Sequence, residues 1–194
     1  MTLETILTVK NEHLNGFGPA TAVEVFRELV WAEASRIGIP FDKINVSDWI
    51  NMPDGGVDAT VRETEGLALS NFIQSGHNAY QIKAGKDFKP WQPSQVKKEL
   101  FGDKPVGKDN LGSSIRCALD QKGRYVLVCF GQDLVTTQQQ EATKNLRCYL
   151  EKCGYDNPRV AIWGQNTIRS FLQPFPSLAL RVNRRQYGGF ETHQ

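Results

Sequence analysis

The chain has 194 residues, 40% of them hydrophobic, and a formal net charge of +2. That size suits one or at most two globular domains with a real core. No apolar run approaches the roughly 20 residues that span a bilayer, and no basic segment precedes an apolar one at the start, so neither a membrane span nor a secretory signal is expected. The four cysteines (Cys117, Cys129, Cys148, Cys153) form no C-x-x-C pair, and His13, His77 and His193 are far apart. A zinc site is therefore not expected, and reduced thiols suit a cytoplasmic protein.

In chain order, residues 1–18 read as irregular. Pro19 can open a helix, and "ATAVEVFRELVWAEASRIG" continues it until Gly38 and Pro40. Residues 44–49 and 57–62 read as strands, joined by turn chemistry at "PDGG". "NAYQIKAG" reads as a third strand, "DFKPWQP" as a loop, and "SQVKKEL" and "NLGSSIRCALDQKG" as helices. "RYVLVCFG" and "RVAIWG" are apolar enough to be buried strands, separated by the helix "TTQQQEATKNLRCYLEKCG". "QNTIRSFLQPFP" is a last short helix, and the residues after Val182 read as a tail. Trp31, Trp49 and Trp163 are expected in the core or at its edge. The fold class expected is α/β, a mixed sheet flanked by helices, with antiparallel strands first and a crossover later. Residues 1–182 read as one domain and 183–194 as a tail or linker.

Charge is divided along the chain. Residues 1–80 hold 5 basic and 11 acidic side chains, and residues 81–194 hold 18 and 10. The basic part opens at the third strand, with Lys83, Lys86, Lys89, Lys97, Lys98, Lys104 and Lys108. Such a cluster can follow a phosphate backbone. Trp91 could stack on an unpaired base or anchor its loop.

Strand alternation puts Gln81 and Lys83 on one face of the third strand and Tyr80 and Ile82 on the other. By the same rule Asp58 and Thr60 share a face, with Val57, Ala59 and Val61 opposite. A polar pair on one face of a central strand requires partners. If the strands adjoin, the Asp58 carboxylate, the Gln81 amide oxygen and the Ile82 carbonyl form an oxygen donor set suited to Mg²⁺. Lys83 would stand beside it to orient water or stabilise developing negative charge.

These residues resemble the PD-(D/E)xK nuclease superfamily, whose members carry an acid on one strand and (D/E/Q)-x-K on the next. The run Pro53-Asp54-Gly55-Gly56-Val57-Asp58, followed by Gln81-Ile82-Lys83, is similar to the Mrr-like restriction endonuclease branch. The resemblance implies a restriction-endonuclease-like αβββαβ core and Mg²⁺- or Mn²⁺-dependent hydrolysis of DNA. It places the catalytic acid at Asp58, with Asp54 a second candidate. It also implies a glutamate from the first helix: Glu24, Glu28 or Glu33. On a 100° wheel Glu33 lies about 20° from Phe26, inside the apolar stripe, whereas Glu24 and Glu28 lie about 160° away. Glu33 therefore joins Asp58, Gln81 and Lys83 as an expected site residue. "QIKAG" with "FKPWQ" also resembles the N-terminal nuclease domains of bacterial antiviral STAND NTPases. The expected partner is double-stranded DNA, contacted by Lys86, Lys89, Trp91, Lys97 and Lys98. Breaking both strands implies a homo-oligomer, whose assembly regions outside these residues could drive.

Overall fold

A computed structural model describes residues 7–47, 56–64 and 70–186, with side chains described up to 183. After one helical turn, α1 (Asn11–Leu14), the long helix α2 (Pro19–Ile37) begins with proline at its first position. Proline suits that position because its missing N–H would have no intrahelical partner. Gly38 closes α2 in the left-handed region, φ 77°, with its N–H on the carbonyls of Ala34 and Ser35. Three strands follow: β1 (Ile44–Val46), β2 (Ala59–Val61) and β3 (Asn78–Lys83). Helices α3 (Pro93–Phe101) and α4 (Ser113–Asp120) then cross over to β4 (Arg124–Cys129). Helix α5 (Thr136–Lys152) leads to β5 (Arg159–Trp163), and α6 (Gln165–Leu172) and α7 (Pro176–Gln186) complete the described chain.

The strands lie in the order β1-β2-β3-β4-β5. The first three are antiparallel, and β3, β4 and β5 are parallel. This is an α/β fold with a mixed open sheet covered on both faces. One face carries Tyr80, Ile82, Val126, Val128 and Trp163 against α2, α6 and α7. The other carries Ala79, Tyr125, Leu127, Cys129 and Ile162 against α3, α4 and α5. The α2 face holds an aromatic stack: Phe72 lies 5.6 Å from Phe26, 5.7 Å from Tyr80, 5.1 Å from Trp163 and 5.0 Å from Phe171. The Tyr80 hydroxyl is satisfied by the Phe72 carbonyl at 2.9 Å.

The structure differs from the sequence expectation in several places: a helical turn, Asn11–Leu14, lies in the stretch read as irregular, and β5 is exposed at Arg159 and half-buried at Val160 and Ala161. Strand β1 ends at Val46, and Asp48 and Trp49 lie outside the described residues, as do Pro53 to Gly55 and the candidate Asp54. Val57 joins the α3 face, whereas Ala59 and Val61 join the α2 face, because Gly56 at φ 88° turns the chain before β2 begins. Trp31 is 46% exposed rather than at the core edge. Helix α7 runs across the expected boundary at 182, with Val182 1% and Asn183 3% exposed. Its apolar positions Ala179 and Val182 are three apart, a helical spacing that the charged "NRRQ" obscures.

His77 sits at the turn into β3, buried, with Nε2 lacking a hydrogen bond among the described residues. Burial, with the charge of Arg62, holds it below the ordinary 6.5, against the hydrogen bond to Gln121 that favours the charged form. The unfolded chain thus binds more protons below about pH 6.5, so stability must fall as pH drops from 7 to 5. Buried His13 is lowered for the same chief reason. Urea midpoints across this range should decline with acidity, and His77→Gln should flatten the decline.

Candidate active site

Asp58 precedes β2 by one residue and is tied to β3 twice. Its N–H donates to the Tyr80 carbonyl at 2.8 Å, and its carboxylate Oδ2 accepts the Ile82 N–H at 2.6 Å. The second bond is charge-assisted and fixes the carboxylate against the strand. In a strand, the N–H and C=O of one residue project to the same edge. The Ile82 carbonyl therefore projects toward the β2 edge, where Asp58 stands.

Gln81 and Lys83 lie on the α3 face, beside Tyr125 and Cys129 of β4. Lys83 Nζ is 2.6 Å from Oε1 of Glu99, on α3. The Gln81 amide nitrogen donates to the same Glu99 oxygen, and the Gln81 amide oxygen accepts from the Tyr125 hydroxyl. The resulting chain is Tyr125–Gln81–Glu99–Lys83. Both donors converge on Oε1, and Oε2 of Glu99 has no hydrogen-bond partner among the described residues. Burial pushes the Tyr125 phenol well above its ordinary range, and the charges of Glu99 and Asp58 push it further. It is a neutral donor at physiological pH. Burial likewise raises the Cys129 thiol, with Glu99 adding to the effect and Lys83 opposing it.

Asp58, Ile82, Gln81 and Lys83 are thus brought together. Glu33 is not, which corrects the expectation from the helix wheel. It is buried as the wheel requires, at 6% exposure, but α2 covers the opposite face of the sheet. There it binds Arg36 in bidentate fashion, at 2.7 and 2.8 Å. Burial raises its pKa, but the hydrogen bonds from Arg36 and Ser70 and the Arg36 charge outweigh it, and Glu33 stays low. Glu24 and Glu28 pair with Arg181 on the same side. The amide oxygen of Gln81, an expected ligand, accepts the Tyr125 hydroxyl on the α3 face.

Glu99 and Tyr125 escaped the sequence reading. A signal for Glu99 existed: on α3 it lies about 60° from the buried Val96, at the margin of the apolar stripe. Among the described residues no group of three or more His, Cys, Asp and Glu side chains is gathered as a metal cluster. Two carboxylates instead flank the end of β3: Asp58 holds the Ile82 N–H, and Glu99 holds the Gln81 and Lys83 side chains. Mg²⁺ commonly binds through one or two carboxylates plus substrate phosphate and water, so these oxygens suit it.

Of the expected nucleic-acid contacts, Lys86, Lys89, Lys97 and Lys98 are exposed. Lys97 and Lys98 stand on α3 next to Glu99. Trp91 is a loop anchor: it packs against the α3-face core, and its carbonyl accepts the Asn145 amide at 3.0 Å. No helix among the described residues is long and apolar enough to cross a membrane. No protein-family model matches the chain, and no curated protein or solved structure matches it.

Proposed function

We propose that this chain is a Mg²⁺- or Mn²⁺-dependent endonuclease acting on double-stranded DNA, built on a restriction-endonuclease-like core. The observation that carries the reading is the Asp58 carboxylate hydrogen-bonded to Ile82, between Gln81 and Lys83. The order of α2, β1 to β3, the helical crossover and β4 supports it, since it is the order the resemblance implies. Asp58, the Ile82 carbonyl and Oε2 of Glu99 would hold the ion. When bound, such an ion lowers the pKa of a coordinated water and offsets phosphate charge.

The chain's own groups have distinct tasks. Glu99 supplies the second carboxylate that the neutral Gln81 cannot. Gln81 holds Glu99 in place, steadied from behind by Tyr125. Lys83 offers an ammonium to the attacking water or to the charge that develops on the phosphate. Lys86, Lys97 and Lys98 draw the duplex to this face by its backbone charge. Self-toxicity of a nonspecific nuclease suits an effector of bacterial anti-phage defence, cytoplasmic and assembled as a homo-oligomer.

The Lys83–Glu99 ion pair favours a second reading, because it occupies both groups. On that reading the chain is a noncatalytic nucleic-acid-binding or assembly domain. Supercoiled plasmid separates the two. Nicking or linearisation with Mg²⁺ or Mn²⁺, abolished by EDTA, is the expected result. Retarded plasmid that stays intact with both metals would support the second reading.

A further inference from the structure

A second charged cluster lies at the other end of the sheet. Asn78, Arg124 and Arg159 open β3, β4 and β5 and form one register row. Arg124 and Arg159 belong to the α2 face, since they alternate with Tyr125 and Val160 of the other. Beside them is an open cleft of about 640 Å³ lined by Arg36, Ser70, Asn71, Gln74, Ser75 and Arg159.

Among the described residues the charge in this cleft is unbalanced. Arg36 is neutralised by Glu33. Among the described residues Arg159 bonds only to neutral oxygens, the Ser75 carbonyl and the Gln74 amide, each at 3.0 Å. Arg124 is 8% exposed, yet among the described residues its guanidinium has no carboxylate partner. It donates to the carbonyl of Asn71, a cleft residue, at 3.2 Å and lies 5.2 Å from the Trp163 ring centre. Burial lowers its pKa and Arg159 repels it further. A buried guanidinium beside a second one is costly without an anion. Arginine forks match the oxygens of a phosphate, and the Ser75 hydroxyl and the Asn71 and Gln74 amide N–H groups can complete its coordination.

We propose that this cleft binds a phosphate-bearing small molecule, such as a nucleotide. Lys83 ends β3 at the opposite end and on the opposite face, so one duplex lying across the candidate active site does not present its backbone here. Calorimetric titration of the whole chain with inorganic phosphate, pyrophosphate and ADP at low salt tests the site. Pyrophosphate or ADP is expected to bind, and Arg159→Gln and Ser75→Asp are each expected to weaken it about tenfold or more. Ser75→Asp adds a carboxylate beside Arg159 and breaks no side-chain bond, so it decides the matter if circular dichroism shows Arg159→Gln unfolded. Absence of binding by all three probes at about 10 mM, or affinities unchanged in a folded variant, would overturn the proposal. So would a short duplex that both variants weaken while ADP stays unbound. These outcomes are independent of plasmid cleavage.

Discussion

Asp58→Asn is expected to reduce metal-dependent plasmid cleavage by about a thousandfold or more, and Lys83→Met to do the same. The asparagine keeps the size of the side chain, and its Oδ1 can still accept the Ile82 N–H that Oδ2 of Asp58 accepts at 2.6 Å. What it removes is the charge on which a bound cation depends. Lys83→Met keeps the aliphatic stem along β3 and deletes the ammonium. Glu99→Gln retains an oxygen for Gln81 but loses the ion pair of 2.6 Å with Lys83, so its loss should also be large. Residues of one catalytic unit are not additive, and the double variant of Asp58 and Lys83 should be no slower than the worse single one. Thermal melts of all three should stay close to that of the parent chain. Cleavage at the parent rate by folded Lys83→Met would sink the mechanism.

Gly131→Ala is expected to destabilise the fold by about 3 kcal/mol or more, or to prevent folding. A Cβ at this position would meet the Gly85 carbonyl oxygen at 1.6 Å and its carbon at 2.1 Å. No side-chain rotation relieves such a contact, because both partners are main chain. The two glycines lie just beyond Lys83 and Cys129, where the loops leaving β3 and β4 touch, and Phe130 N–H holds the Lys83 carbonyl at 2.8 Å. Moving Gly85 would therefore disturb Lys83 as well as the sheet. Urea unfolding of the variant, read by tryptophan fluorescence, would show the cost as a lowered midpoint. A midpoint within experimental error of the parent would refute the close approach.

Local patterns carried much of this molecule. Proline and glycine at its two ends bound α2, and the continuous apolar runs "RYVLVC" and "RVAIW" marked the parallel strands, the first buried throughout and the second, at the sheet edge, buried only at Ile162 and Trp163. Alternation along β3 correctly set Gln81 and Lys83 apart from Tyr80 and Ile82. Such signals depend on residues within a few positions of one another, which is why the sequence by itself determined them. Where a left-handed glycine intervenes the same rule misled, as at Val57.

The choice of partners was decided only by tertiary structure. A helix wheel can say that Glu33 faces inward, but not which face of the sheet its helix covers. That face is the one away from Lys83, and Arg36, three residues on, satisfies the carboxylate locally. Glu99 reaches Lys83 and Gln81 because the loop after β3 folds α3 back over the opposite face. Tyr125 meets Gln81 across a parallel pairing of residues 44 apart. Sequence by itself therefore determined the strand carrying the glutamine and lysine, the acid before β2 and the order of elements. The second carboxylate, the tyrosine behind Gln81 and the arginine row at the far end of the sheet arise from long-range packing, because a side chain's partner depends on which layer its element joins.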